Sequence, residues 1–425
     1  MSTRKLVQYM QWGLLLILAI MPFHAFLSVW FGSMFGHQAI FQAWKEVVIL
    51  VLAVATLGLA IKDQRIRTRL RQAWILAIFS LVILGLVVTA ITRPLPLVAA
   101  FGIKTDFEYL IAAIIAACVA DKLFLMRALK IIVVAAAIVS GYDVLQIFLL
   151  PPDFLTHFGY GPATIAPFQH IAEGTSALRF PATLGGPNQL GTYLILPICL
   201  SAALYIKQRR PWQAALFVAC LISLTWTFSR SAWLGAGVAL IVTILATIPK
   251  HSRRPALLVS AAAVAAGLIA LPLLLSSNSH LQFFILHSSI QNHDQANLSD
   301  SQHAASLTSG ASSLLNNPLG HGLGTAGPAT FHEGAINIIE NFYLQIGYEM
   351  GVLAIVIFGF IVVTLIIKLI KKSQLSLLAI PAAAALIGIS LVALVLPAWV
   401  DSSTSLILWI VAGALVAPNS ETAHV

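Results

Sequence analysis

Long apolar stretches alternate with short polar ones along the whole chain, and this pattern predicts an all-α polytopic membrane protein. Apolar stretches close to the roughly 20 residues that a helix needs to cross a bilayer recur from end to end. We predict about 12 transmembrane helices, near 11–31, 46–61, 73–92, 107–120, 131–150, 189–206, 213–228, 232–249, 256–276, 342–367, 375–396 and 404–418. The range 93–110 is compatible with a re-entrant segment, so this count carries an error of about one or two.

The composition agrees with this pattern. Of 425 residues, 59% are hydrophobic and only 9% are charged, which excludes an ordinary soluble domain. We therefore expect residues 1–425 to form a single membrane domain.

The net charge of +9 comes mostly from Lys and Arg residues in alternate loops. Such loops face the cytoplasm, so both termini are predicted to lie inside, giving an N-in/C-in topology. We expect the basic loops to contact membrane lipids, and we expect no nucleic-acid partner.

This orientation leaves two long outer segments, an outer loop at 151–188 and a larger one at 277–341 before the third-last helix. We expect the larger one to be the catalytic loop. Few basic residues remain for the outer face, and Arg179 and Arg230 are the two not explained by position. The other three flank spans, where snorkelling is the expected explanation: Lys45, Arg93 and Lys104.

The stretch RFPATLGGPNQLGTYL, 179–194, predicts a tight turn before a helix. Gly186 lies in the turn, and Asn188 is the predicted N-cap of the next span. A helix N-terminus preceded by glycines suits an anion, although an ordinary loop-to-helix entry gives the same pattern.

The stretch FSRSAW contains Arg230, whose planar fork suits a phosphate. Ser229 or Ser231 is expected to cap the helix that follows, and the alternative for Arg230 is a snorkelling interfacial arginine. Further along, Glu340 and Glu349 fall at the outer end of a predicted span. Two carboxylates there indicate either a function or a solvated interfacial pair.

Four stretches together resemble the bacterial O-antigen ligase and polymerase family: R-F-x-A-T-x-G-G-P-N-Q-L, S-R-S-A, N-P-L-G-x-G-L-G-T and E-N-F-Y-L-Q-I-x-Y-E-x-G. They occur in this order between about 179 and 355. The resemblance implies a glycosyltransferase at the outer face of the bacterial cytoplasmic membrane, with a polyprenyl-diphosphate-linked glycan donor, such as undecaprenyl diphosphate, and a glycan or lipid acceptor. It implies no cofactor and no metal. Polymerase and ligase differ in the acceptor, and the sequence leaves that choice open.

The family's two donor-binding arginines map onto Arg179 and Arg230. Members often carry a histidine, the proposed base, directly before the Asn-x-Tyr-Leu element, whereas this chain has Glu340 there. A carboxylate can serve as a general base, so Glu340 is the first candidate. Other histidines of the outer segment remain open as the base: His303, His321 and His332. The residues expected to bind substrate are Asn188, Gly186, Ser229, His321, Asn341 and Tyr343.

Three other functions fit the sequence less well. Half of the twelve histidines lie in 277–341, but they lack the tight spacing of a metal site. A lipid-linked glycan flippase or other transporter needs polar groups deep in its spans, and Asp143 is the only clear charge of that kind in the pattern. A structural scaffold leaves both outer arginines and Glu340 unexplained. The sequence therefore favours an enzyme.

Overall fold

The computed structural model describes residues 2–171, 177–277, 293–332, 337–373 and 376–417, with backbone only for 263–276, 293–303 and 332. It is 79% helical. The α-helices are α1 Thr3–Ile20, α2 His24–Phe35, α3 Gln38–Gln42, α4 Trp44–Lys62, α5 Gln64–Leu70, α6 Ala73–Thr92, α7 Pro96–Val119, α8 Lys122–Phe148, α9 Pro187–Gln208, α10 Pro211–Trp226, α11 Arg230–Thr247, α12 Lys250–Ser277, α13 His293–Asn316, α14 Phe342–Met350, α15 Val352–Lys371, α16 Ala379–Val392 and α17 Ser402–Val416.

Short 3-10 helices and one small hairpin complete the described structure. The 3-10 helices are Met21–Phe23, Phe154–Phe158 and Gly327–His332. The antiparallel strands β1 Gln169–His170 and β2 Leu178–Arg179 pair Gln169 with Arg179.

Within the described residues, seven helical segments are long and apolar enough to cross a membrane: Thr3–Phe35, Trp44–Lys62, Ala73–Thr92, Lys122–Phe148, Pro187–Gln208, Arg230–Thr247 and Val352–Lys371. Three shorter apolar helices accompany them, α10, α16 and α17. The protein is thus a multi-pass membrane protein, while the count of about 12 spans stays a prediction.

One local expectation was wrong. The range 93–110 contains no re-entrant piece, because α7 runs without a break from Pro96 to Val119. Its charged residues, Lys104, Asp106 and Glu108, had masked the helix in the hydropathy pattern.

Successive long helices alternate in direction between two ends of the bundle. At one end, which we call the basic end, Gln11 Nε2 donates to Val119 O at 2.8 Å, and Arg69 Nη1 donates to Cys118 O at 2.6 Å. Lys372 Nζ donates to Ala417 O at 2.7 Å at the same end. The opposite end, the site end, is where α9, α11 and α17 begin and α16 ends.

Small residues bring α11 and α16 into direct backbone contact. A Cβ on Gly235 would lie 2.6 Å from Gly388 O, and one on Gly388 would lie 2.5 Å from Gly235 O. Such small-residue contacts are a common means of tight helix packing in membranes. The crossing is antiparallel, since Ala239 lies near Gly388 while Gly235 also reaches Val392.

Candidate functional site

Arg179 is tied to two elements of the site end. Its Nε donates to Thr227 O at 2.6 Å, and its Nη2 donates to Asn188 Oδ1 at 2.7 Å. The first partner belongs to the turn before α11, and the second to the first turn of α9. These two hydrogen bonds therefore fix the orientation of the Arg179 guanidinium between the N-termini of α9 and α11.

Arg230 lies close enough to Arg179 to affect its ionisation. The pKa of Arg179 falls to about 10, because burial disfavours its charged form and the positive charge of Arg230 adds repulsion. Arg179 remains protonated at neutral pH. Two neighbouring cations in a partly buried place form a suitable site for a multiply charged anion.

The backbone around both arginines adopts unusual conformations. Ala182 has a φ of 48° and Phe228 has a φ of 49°, in the left-handed region that side chains other than glycine rarely adopt. Such strain persists only where the surrounding structure enforces it, and it is concentrated at functional sites. Ala182 follows Arg179 by three positions and Phe228 precedes Arg230 by two, so the strained backbone lies next to both arginines.

The start of α9 differs from the expectation for Asn188. Gly186 is the N-cap and Pro187 the first helical residue, so Asn188 lies inside the helix and does not cap it. Proline at the first position suits a helix start, which moves the cap by two residues. The Asn188 side chain instead accepts the hydrogen bond from Arg179. A Cβ at Gly186 would lie 2.6 Å from Gln189 Oε1, the end of a flexible side chain that can move aside.

Ser229 is the N-cap residue of α11 by position, but its side chain makes no capping hydrogen bond. Its buried Oγ lies 3.4 Å from Ser231 Oγ, and its N–H donates to Thr227 Oγ1 at 3.2 Å. The expectation of a serine side-chain cap by Ser229 was therefore wrong. Its binding role stays a prediction.

Glu340 stands just before α14 and is half-buried. Its backbone N–H donates to Ser306 Oγ of α13 at 3.0 Å. Asn341 caps α14 by accepting from Leu344 N–H at 2.9 Å, and its Nδ2 donates to Leu394 O at 2.7 Å. Tyr343 OH donates to Ser390 O at 3.0 Å. Asn341 and Tyr343 thus attach the Glu340 segment to the C-terminal end of α16.

Arg230 lies at the same level of the bundle as this end of α16. Arg230 precedes Gly235 on α11 by five positions, which is about 7.5 Å along a helix. Because α11 and α16 run antiparallel through the Gly235–Gly388 crossing, this places Arg230 beyond Val392. The fold therefore brings the Arg179–Arg230 pair and Glu340 to one end of one helix.

His321 lies in a packed glycine loop that is held by Glu349 of α14. The His321 ring stacks on the Tyr348 ring at 4.0 Å, and its backbone N–H donates to Tyr348 O at 2.8 Å. Glu349 is fully buried and accepts from Ala326 N–H at 3.1 Å. Glu349 is thus no solvated interfacial acid, and it holds the loop that carries His321.

Two of the predicted bases lie outside what the structure describes. They are His303 and His332, whose side chains are not described, so their role as the base stays a prediction.

Sequence reasoning missed a second group of buried charges. Asp143 is not the only buried charge in the helices, because Asp106 and Glu108 on α7 are buried as well. Lys45 and Lys104 do not simply snorkel, since both pair with Glu46. The sequence signal was that three charged residues, Lys104, Asp106 and Glu108, lie within five positions of each other in an otherwise apolar stretch.

A family model described as O-Antigen ligase matches residues 215–359. The match covers about a third of the chain and confirms the resemblance drawn from the motifs. It includes Arg230, His321 and Glu340, while Arg179 and Asn188 precede it. No curated protein matches the chain significantly.

Proposed function

We propose, from the match of residues 215–359 to the O-antigen ligase family model, that the protein transfers glycan from a polyprenyl-diphosphate donor to a hydroxyl of an acceptor. The observation that carries this proposal is that the Arg179–Arg230 pair lies at the same end of the bundle as the Glu340 segment. The site end then corresponds to the extracytoplasmic face of the bacterial cytoplasmic membrane, and the basic end to the cytoplasm. This orientation agrees with the basic loops of the sequence.

The arginines act on the leaving group. As the bond between the anomeric carbon and the diphosphate oxygen breaks, the electron pair and negative charge move onto the diphosphate. Fixed cationic donors stabilise such developing charge without reorganising during the step. Arg179 is held by Thr227 and Asn188, so its orientation is set before the donor binds.

Glu340 acts on the acceptor. The acceptor oxygen forms the new bond to the anomeric carbon, and its proton passes to the Glu340 carboxylate. The products are the extended glycan and polyprenyl diphosphate, and the proton leaves Glu340 to solvent. The donor's lipid chain stays in the membrane throughout.

The test uses purified protein in detergent micelles, where no second compartment exists. The protein is mixed with a polyprenyl-diphosphate-linked oligosaccharide, alone and with an added glycan or lipid acceptor. We expect a new glycosidic product and one polyprenyl diphosphate released for each bond formed. A flippase would make no product in micelles, and an intact donor after incubation with every acceptor would refute the proposal.

A further inference from the structure

A polar cavity lies at the site end, between the first turns of α4 and α17 and the stretch of α7 from Lys104 to Tyr109. Its volume is about 210 Å³, which is room for several water molecules or one sugar ring. The groups that line it include Lys45, Lys104, Glu108, His24, Ser402 and Ser405. None of them belongs to the arginine site.

The cavity wall contains buried ionic groups. Lys45 is only 2% exposed, and its Nζ lies 2.5 Å from Glu46 Oε1. Lys104 Nζ lies 2.7 Å from the same oxygen. One carboxylate thus holds two ammonium groups at the cavity, and these keep further N–H donors for another partner.

Glu108 adds a hydrogen-bond acceptor to the cavity wall. It is 8% exposed, and among the described residues its Oε1 has no hydrogen-bond partner. A buried carboxylate oxygen without a donor is costly, so a ligand that donates hydrogen bonds is favoured here. The hydroxyl groups of Ser402 and Ser405 lie on the same wall.

The cavity is connected to the candidate active site through two segments. Val400 lines it, and the chain from Val400 leads back to Leu394, which accepts the hydrogen bond from Asn341 beside Glu340. On another side, Phe26 N–H, two residues after His24, donates to Thr183 O in the loop that follows Arg179. Both connections place the cavity at the same end of the bundle as the candidate active site.

We propose that this cavity binds a sugar unit of the acceptor glycan, an inference that rests on the proposed function. Sugar hydroxyls donate and accept at once, matching a wall of ammonium, carboxylate and hydroxyl groups. The carboxylates of Glu46 and Glu108 balance the charges of Lys45 and Lys104, so the cavity offers no net positive charge to an anion. Among the described residues, no group of three His, Cys, Asp or Glu could hold a metal ion.

The test is Glu108→Gln, which keeps the side-chain size and removes the charge. The probe is a set of oligosaccharides released by mild acid from the surface polysaccharide of the host bacterium. We expect wild-type protein in detergent to bind them, as seen by saturation-transfer NMR, and the variant to lose at least tenfold in affinity. In the transfer assay the variant should raise the KM for the acceptor at least tenfold and leave the KM for the donor unchanged.

The matched control is Asp143→Asn, which neutralises a buried carboxylate outside the cavity and should leave glycan binding unchanged. Lys104→Met, at the partly exposed edge of the cavity, provides a second variant if Glu108→Gln does not fold. Equal binding by the cavity variants and the wild type, or displacement of the glycan by inorganic phosphate, would overturn the inference. Glycan binding without any transfer would instead reject the proposed function and leave the cavity site standing.

Discussion

Replacing Arg179 by lysine keeps the positive charge and removes the planar fork. The arginine reaches Thr227 O through Nε and Asn188 Oδ1 through Nη2, at 2.6 and 2.7 Å. A lysine has one nitrogen on a flexible chain, so it cannot keep both partners and also face the diphosphate. Losing one oriented donor at a developing oxyanion costs about 2.7–4 kcal/mol, so we expect turnover to fall by roughly 10²–10³.

The pH dependence follows from the same group. Arg179 has its pKa lowered to about 10, and its protonated form is the one that binds an anion. Donor binding by the wild type should thus be constant near neutral pH and weaken as the pH rises through about 10.

The assay is the initial rate of transfer from lipid-diphosphate oligosaccharide in detergent, at matched amounts of folded protein. The control is Arg209→Lys, at the basic end, where the guanidinium lies 5.4 Å from the Tyr205 ring centre and far from the chemistry. We expect this control to retain wild-type turnover. If Arg179→Lys also turns over within about threefold of the wild type, the orientation argument is wrong, because a factor of three is less than about 1 kcal/mol.

Three further changes test other parts of the account. Glu340→Gln should abolish transfer while donor binding persists, and normal transfer would assign the base to another group. Gly235→Leu should lower the melting temperature, because the new side chain would meet the Gly388 backbone at a cost of about 1–3 kcal/mol or more. Gly237 faces open space, so Gly237→Leu should leave the melting temperature unchanged. Equal melting temperatures for the two variants would contradict the close crossing. An impermeant thiol reagent applied to intact cells should label Ala163→Cys and not Gln64→Cys, both exposed positions, and the reverse pattern would invert the proposed orientation.

Hydropathy and charge alone predicted the membrane class and isolated two arginines. This worked because burial in lipid restricts composition strongly, so a basic residue away from the basic loops stands out. Arg179 and Arg230 were found by that reasoning, and in the structure Arg179 donates to Thr227 O, three residues before Arg230. The sequence around each arginine does not indicate that the two lie close together.

The errors came from interactions between distant segments. A lysine beside a span looks the same whether it snorkels or pairs, and only the fold places Lys104 against Glu46. Asn188 looked like a cap because its residue type favours that position, but Pro187 starts the helix and Asn188 binds Arg179 instead. The role of α16 as the support for Glu340 depends on the hydrogen bonds of Asn341 to Leu394 O and of Tyr343 to Ser390 O, which join segments about 50 residues apart.

The central claim is that Arg179 and Arg230 bind one leaving group, and a double-mutant cycle tests it most directly. Turnover is measured in micelles for the wild type, Arg179→Lys, Arg230→Lys and the double variant. Residues acting on one group couple by roughly 0.5–3 kcal/mol, so the double variant should lose clearly less than the product of the two single losses. Losses that multiply, or a single variant that turns over normally, would contradict a shared diphosphate.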